Sequence, residues 1–254
     1  MKNAVLIAAR SLAIFAGFLM LWQAAISLFA IPPYLLPGPA DVAAALWTGR
    51  ASLWSNMLVT LAEILLGLGF GVLVGAATAL AMTAVKPLRR WLMPVLIVSQ
   101  AIPIFALAPL LVLWFGFGMA SKVIAAMLVI YFPVTATFFD GLRRTGAGLL
   151  DLADTMNASP TRILWHVRLP AALPAFGSGL RVAAAVAPIG AIIGEWVGSA
   201  GGLGFVMLNA NARLQTDMVF AALFVLALLA VALWAIVDRL VKWLIFWPPE
   251  TGQG

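Results

Sequence analysis

The feature that most constrains this chain is the spacing of its charges. Between Arg10 and Asp41 lie 30 uncharged residues, and between Arg90 and Lys122 another 31. A helix rises about 1.5 Å per residue, so about 20 apolar residues cross the roughly 30 Å hydrocarbon core of a bilayer. Only 9% of the 254 residues are charged and 64% are hydrophobic; a soluble domain carries about 25% and roughly 45–50%. Too few charges remain to cover a water-exposed surface, so lipid must be the solvent. Soluble enzymes, disordered chains and DNA-binding domains are excluded, and the formal net charge of +6 requires no nucleic acid. The absence of cysteine removes disulfides, iron–sulfur clusters and thiolate zinc sites.

Six apolar segments follow: 11–30, 57–85, the stretch between Arg90 and Lys122, 123–139, 173–197 and 218–237. They predict an all-α polytopic bundle of six transmembrane helices forming one domain over 1–254, with a cytoplasmic loop at 140–170. The first segment reads as an uncleaved helix. Six spans bring both termini to one side. With that side cytoplasmic, Lys2, Arg10, Lys86, Arg89, Arg90, Arg143, Arg144, Arg162, Arg168, Arg239 and Lys242 lie inside. Only Arg50, Lys122 and Arg213 lie outside, and Arg181 falls within or beside the membrane. That asymmetry obeys the positive-inside rule and accounts for the basic balance.

Gly67, Gly71 and Gly75 repeat every four residues on the second segment, as do Gly190, Gly194 and Gly198 on the fifth. Such stripes let a neighbouring backbone approach closely, either inside the bundle or at a dimer seam. Pro94, Pro103 and Pro109 crowd the third segment and Pro188 interrupts the fifth. Carbonyls freed by proline must be satisfied within protein or beside water. This places segments three and five inside the bundle along a pathway, and segments one and six against lipid. Trp91, Trp114, Trp196 and Trp243 fall near the expected interfaces.

Catalytic chemistry is sparse. The single histidine, His166, lies in the cytoplasmic loop between Arg162 and Arg168, and neither a phosphate-binding G-x-x-x-x-G-K-[ST] loop nor an H-E-x-x-H zinc pattern occurs. No catalytic residue, metal site or cofactor of its own is expected.

The loop at 140–170 is punctuated. Leu149, Leu150, Ala153 and Met156 form an apolar stripe beside Asp151 and Asp154. Asn157 stands where a left-handed residue ends a helix. Ser159 then caps the next helix, Pro160 takes its first position, and Leu169-Pro170 is expected to stop it. An exposed amphipathic helix of this kind either lies on lipid or docks a cytoplasmic partner.

Here the chain resembles the permease subunits of bacterial ATP-binding-cassette importers of the nitrate/sulfonate/taurine type. Their cytoplasmic motif runs E-A-A-x-x-x-G, then a spacer and x-L-P. This sequence has Asp151-Leu152-Ala153, Asn157 and Leu169-Pro170 at matching spacing, with Asp for Glu, Leu for the first Ala and Asn for Gly. The likeness extends to residues 32–39, to the Trp114–Gly118 turn, to Gly179-Leu180-Arg181 and to Gly202-Leu203-Gly204. The resemblance implies an inner-membrane pore of two permease subunits, expected to be a homodimer, embedded in lipid. It also implies a cytoplasmic ATPase dimer that binds ATP and Mg, and a periplasmic or lipid-anchored solute-binding protein. Asp151, Leu152, Ala153, Asp154, Met156, Asn157, Ser159 and Pro160 would then form the ATPase-docking segment.

Charges at membrane depth are costly, about 2.5–3.5 kcal/mol on insertion scales, and mark function. Glu195 precedes the glycine-rich stretch 198–204, which reads as a flexible turn. It is a candidate for an outer gate or for contacts with the binding protein, against interfacial snorkelling or a buried ion pair. Glu63 reads as interfacial. Arg181, Pro188, Pro103, Asn209 and Asn211 complete the candidate pathway, the asparagines within an amide-rich outer loop at 209–217. Segments 183–191 and 194–198 resemble the subgroup thought to import hydroxymethylpyrimidine-type thiamine precursors. With no basic cluster facing the pathway, nitrate and sulfonate rank behind such a heterocycle. A stand-alone secondary transporter or channel is the alternative. It calls for inverted repeats and mid-membrane carboxylates, and neither is evident by eye.

Overall fold

A computed structural model describes residues 2–247, and among them the chain is helical with no strand. The helices are α1 (Lys2–Phe29), α2 (Pro39–Thr48), α3 (Arg50–Ala84), α4 (Lys86–Ala101), α5 (Ile104–Phe115), α6 (Met119–Arg143), α7 (Ala147–Thr155), α8 (Pro160–Ile163), α9 (Leu169–Gly198), α10 (Leu203–Ala212) and α11 (Thr216–Leu244). Four rods are long and apolar enough to cross a bilayer: α3, α6, the continuous run of α8 into α9, and α11. The expected third span is not a rod, because α4 and α5 meet at 103°. Ile102 is extended, with φ −85° and ψ 117°. A residue preceding proline is pushed out of the helical region, and Pro103 cannot donate to a preceding turn. The six spans expected from charge spacing therefore become four rods, a bent pair and α1, whose apolar part is Ala16–Phe29.

The two glycine stripes explain the core. A Cβ on Gly67 would sit 2.5 Å from the Ala126 Cβ, and one on Gly71 2.6 Å from Ile130 Cγ2. From the other side, a Cβ on Gly190 would sit 2.6 Å from the Ala126 Cα, and one on Gly194 2.9 Å from the Lys122 Cα. Helix α6 is thus clasped between α3 and α9, with Ala126 touched from both. Both stripes serve packing within one subunit. Ile64, Ala126, Ile130, Val134, Ala183, Ala184, Ala187 and Ala191 are buried there.

Three expectations from proline change accordingly. The central helices are α6 and α9, whose apolar windows are 44% and 50% buried, against 17% for α11. Pro94, Pro103 and Pro109 are all exposed, so the bent third segment lies at the periphery of this subunit. Helix α9 runs unbroken through the buried Pro188. Nor does Leu169-Pro170 stop the preceding helix: Leu164–Arg168 forms a π turn, the Leu169 N–H bonding the Leu164 carbonyl, and the chain continues into α9. The wider turn absorbs the proline's missing donor and its ring clash.

Candidate functional site

At one end of α9 lies the 140–170 segment. Asn157 has φ 55°, a left-handed conformation that closes α7, and the Ala158 N–H bonds back to the Ala153 carbonyl at 3.0 Å. Ser159 caps α8, its side-chain oxygen accepting from the Arg162 N–H at 3.4 Å, with Pro160 at the first helical position. Ala153 is buried, whereas Leu149, Leu152 and Met156 are exposed and Asp151 and Asp154 flank them in water. These apolar side chains border a groove of about 410 Å³ completed by His166, Val167, Pro170, Ala171 and Trp247. A short capped helix that holds apolar groups outward beside a groove has the shape of a docking element.

At the other end a buried polar cluster joins four elements. The Lys122 Nζ lies 2.9 Å from the Glu63 Oε1, with both side chains less than a tenth exposed. Beyond this ion pair, neither Glu63 carboxyl oxygen accepts a hydrogen bond among the described residues. Glu195 is 1% exposed. The Thr60 hydroxyl donates to its Oε1 at 2.6 Å, and the Gly204 N–H donates to its Oε2. The Leu203 N–H donates to Thr60 Oγ1 at 2.8 Å, and the Gly202 N–H to Asn56 Oδ1 at 2.8 Å. Side chains of α3 and α9 therefore cap three successive N–H groups at the start of α10. A carboxylate at a helix N-terminus also faces the positive end of its dipole. Gly202 has φ 107°, and a Cβ there would fall 2.2 Å from the Glu195 carboxyl carbon. The 198–204 stretch is pinned, not the flexible turn its glycines suggest, and those glycines admit a carboxylate.

The remaining expectations divide. Glu63 is buried rather than interfacial, and Lys122, assigned to the outside by charge counting, is its partner. Arg181 donates from Nε to Asp238 Oδ1 at 2.7 Å, and Lys242 reaches Oδ2 at 2.7 Å. Arg181 is fourteen positions from Glu195 on α9, about 21 Å along the helix, so the two do not share a site. Asn209 and Asn211 belong to α10 instead of a loop. The Asn209 amide donates to the Phe205 carbonyl at 2.9 Å, and Asn211 is exposed. Pro188 lines an apolar groove of about 410 Å³ with Phe105, Ile189, Trp196, Leu223 and Ala227, and no charged residue borders it. Phe105 and Trp196 pack there with ring centroids 5.9 Å apart. Sequence reasoning missed Asn56, Thr60 and Asp238. The usable signal was that a charge inside an apolar span demands a partner on another helix.

Residues 67–246 match the family model described as the binding-protein-dependent transport system inner membrane component. The chain belongs to that family. A probable ABC transporter permease protein of Haemophilus influenzae is 52% identical over 91% of this chain and 94% of its own length. The formylaminopyrimidine transport permease protein ThiX of Halalkalibacterium halodurans is 34% identical over 92% of this chain and 93% of that protein. Other relatives are named for riboflavin, taurine and aliphatic sulfonate transport. Among solved structures, an inward-facing form of the MetNI methionine ABC transporter aligns at 20% identity with a TM-score of 0.65. It covers 78% of this chain and 96% of that chain, which establishes the permease fold. The chain is therefore an ABC importer permease subunit, and that family works with an ATPase and a binding protein.

Proposed function

We propose that this permease takes up a small uncharged heterocycle, a thiamine-precursor pyrimidine, in preference to sulfonate, taurine or nitrate. The observation that carries the reading is the state of the cations at membrane depth. Lys122 faces Glu63 and Arg181 faces Asp238, so neither is free to receive an anion, and the Phe105–Trp196 groove is bordered by no charge. A flat neutral ring suits such a wall. The similarity to ThiX supports the same choice. Two copies of the chain form the pore in the bacterial inner membrane, with both termini cytoplasmic. Helix α7 seats Asp151, Leu152, Ala153, Asp154, Met156 and Asn157 on an ATPase subunit, with Ser159-Pro160 fixing the following turn. ATP and Mg are bound there and not by this chain. A periplasmic or lipid-anchored binding protein delivers solute to the α10 end, and Glu195 acts by holding α10 in place.

The test is reconstitution into proteoliposomes with the cognate ATPase and binding protein, followed by uptake of labelled hydroxymethylpyrimidine, taurine and riboflavin in parallel. ATP-dependent accumulation of the pyrimidine alone is expected. Selective taurine uptake would overturn the substrate, and uptake by the chain without its ATPase would overturn the importer mechanism.

A further inference from the structure

At the α7 end, Arg89 and Arg90 on α4 and Arg143 and Arg144 at the end of α6 form no salt bridge among the described residues. Asp140, one turn before Arg144, is exposed and pairs with none of them. Arg89 and Arg143 both sit over Phe139, 5.4 and 5.6 Å from its ring centroid. One aromatic face-partner thus gathers two like charges that no carboxylate offsets. Arg89 and Arg90 form the head of a groove of about 740 Å³, whose remaining walls are Met93, Pro94, Ile97 and Val98. Ile97 and Val98 are more than half exposed, and Trp91, next to Arg90 in the sequence, is 79% exposed, as interfacial tryptophan is. The first turn of α4 has no side-chain cap, so its positive dipole end adds to the guanidinium field.

A trough that is cationic at the membrane boundary and apolar along its length has the pattern of an amphiphile. We propose that it binds an anionic phospholipid, the phosphate on Arg89 and Arg90 and one acyl chain along Met93, Ile97 and Val98. Guanidinium pairs hold phosphate oxygens in a matched fork, and basic pockets on the cytoplasmic side of helices take anionic headgroups. Free phosphate satisfies the arginines and leaves the apolar wall bare. A second copy of this chain set α4 against α4 opposes cation to cation. An acidic protein surface meets the charges and not the trough that runs into the bilayer. The site is independent of the transported solute.

The full chain is extracted in mild detergent, placed in nanodiscs of phosphatidylcholine with a minor fraction of phosphatidylglycerol, and the retained lipid is counted by native mass spectrometry. Phosphatidylglycerol should be retained well above its bulk share. Arg89→Gln with Arg90→Gln should cut that enrichment by about fivefold per guanidinium removed, roughly 25-fold together. Arg89→Lys with Arg90→Lys should keep most of it, and Ile97→Trp should lower retention of both lipids alike. Equal retention of the two lipids by the unaltered chain overturns the proposal without any variant. So does wild-type enrichment in the Gln variant, and so does a Gln variant that keeps its lipid but loses ATPase binding, which would assign the arginines to a protein interface.

Discussion

A buried ion pair inside a lipid-solvated bundle has no water to fall back on. Glu63 is ion-paired with Lys122 and has the Glu195 carboxyl beside it, so removing Lys122 leaves buried carboxyls without their cation, at a cost of about 3–5 kcal/mol. Replacing Glu63 as well leaves only Glu195, whose oxygens already accept from the Thr60 hydroxyl and the Gly204 N–H. Lys122→Met should lower the thermal midpoint in detergent sharply, and adding Glu63→Gln should restore much of it. A double variant no more stable than the single would show that the two side chains do not answer to each other. Gly202 makes a different point about a single position. Its φ of 107° and the Glu195 carboxyl where a Cβ would project make it the residue that lets the carboxylate reach the α10 N-terminus. Gly202→Ala should abolish ATP-dependent uptake while ATPase binding, at least 42 positions and a whole α9 away, stays intact. The same split is expected for Glu195→Gln, in a milder form, because the amide keeps one oxygen for the Gly204 N–H.

Between elements, α6 owes its position to glycines on both neighbours. Gly190→Leu drives a side chain into the Ala126 backbone, and overpacking of this kind costs about 1–3 kcal/mol or more. Gly69→Leu, where nothing lies within 4 Å, is the matched control and should leave yield and thermal midpoint unchanged. Helix α7 depends on Asn157. Glycine there should preserve ATPase capture, and Asn157→Val should weaken it, because a left-handed residue with a bulky Cβ costs about 1–2 kcal/mol. Local chemistry of this sort was legible in the sequence. Asn157 closes α7, Ser159-Pro160 opens α8, and the Trp114–Gly118 turn ends α5 through Gly116 at φ 78°. Charge spacing likewise located the apolar helices. What could not be read were consequences of distance. Glu63 and Lys122 are 59 positions apart, and Thr60 and Glu195 are 135 apart. No periodicity announces such meetings, so Glu63 reads as interfacial until α6 is packed beside it. Proline misleads for a related reason. Its clash can be absorbed by a π turn, as at Pro170, or passed over, as at Pro188, whereas at Pro103 the third segment turns.

Over the whole molecule the two ends differ in kind. The α7 end carries arginines without salt bridges, short helices and the exposed apolar side chains of Leu149, Leu152 and Met156. At the α10 end Asn56, Thr60 and Glu195 turn inward and accept from the first N–H groups of α10, with the Glu63–Lys122 ion pair buried alongside. Helix α9 joins the two, and its 30 residues span about 45 Å at 1.5 Å per residue, enough to cross the bilayer. A helix anchored to α10 by Glu195 and continuous with α8 can act as a lever between partners on opposite faces. The chain contains no cysteine, so single replacements report sidedness against a blank background. Ser159→Cys, at the exposed cap of α8, should react with an impermeant maleimide only in inverted vesicles. Asn211→Cys, exposed on α10, should react in intact spheroplasts. Both sites labelled from one side would mean that the α4–α5 bend, or α9 itself, does not carry the chain across as a lever must. The opposite pattern for both sites would invert the topology and place α7 where no cytoplasmic ATPase can reach it.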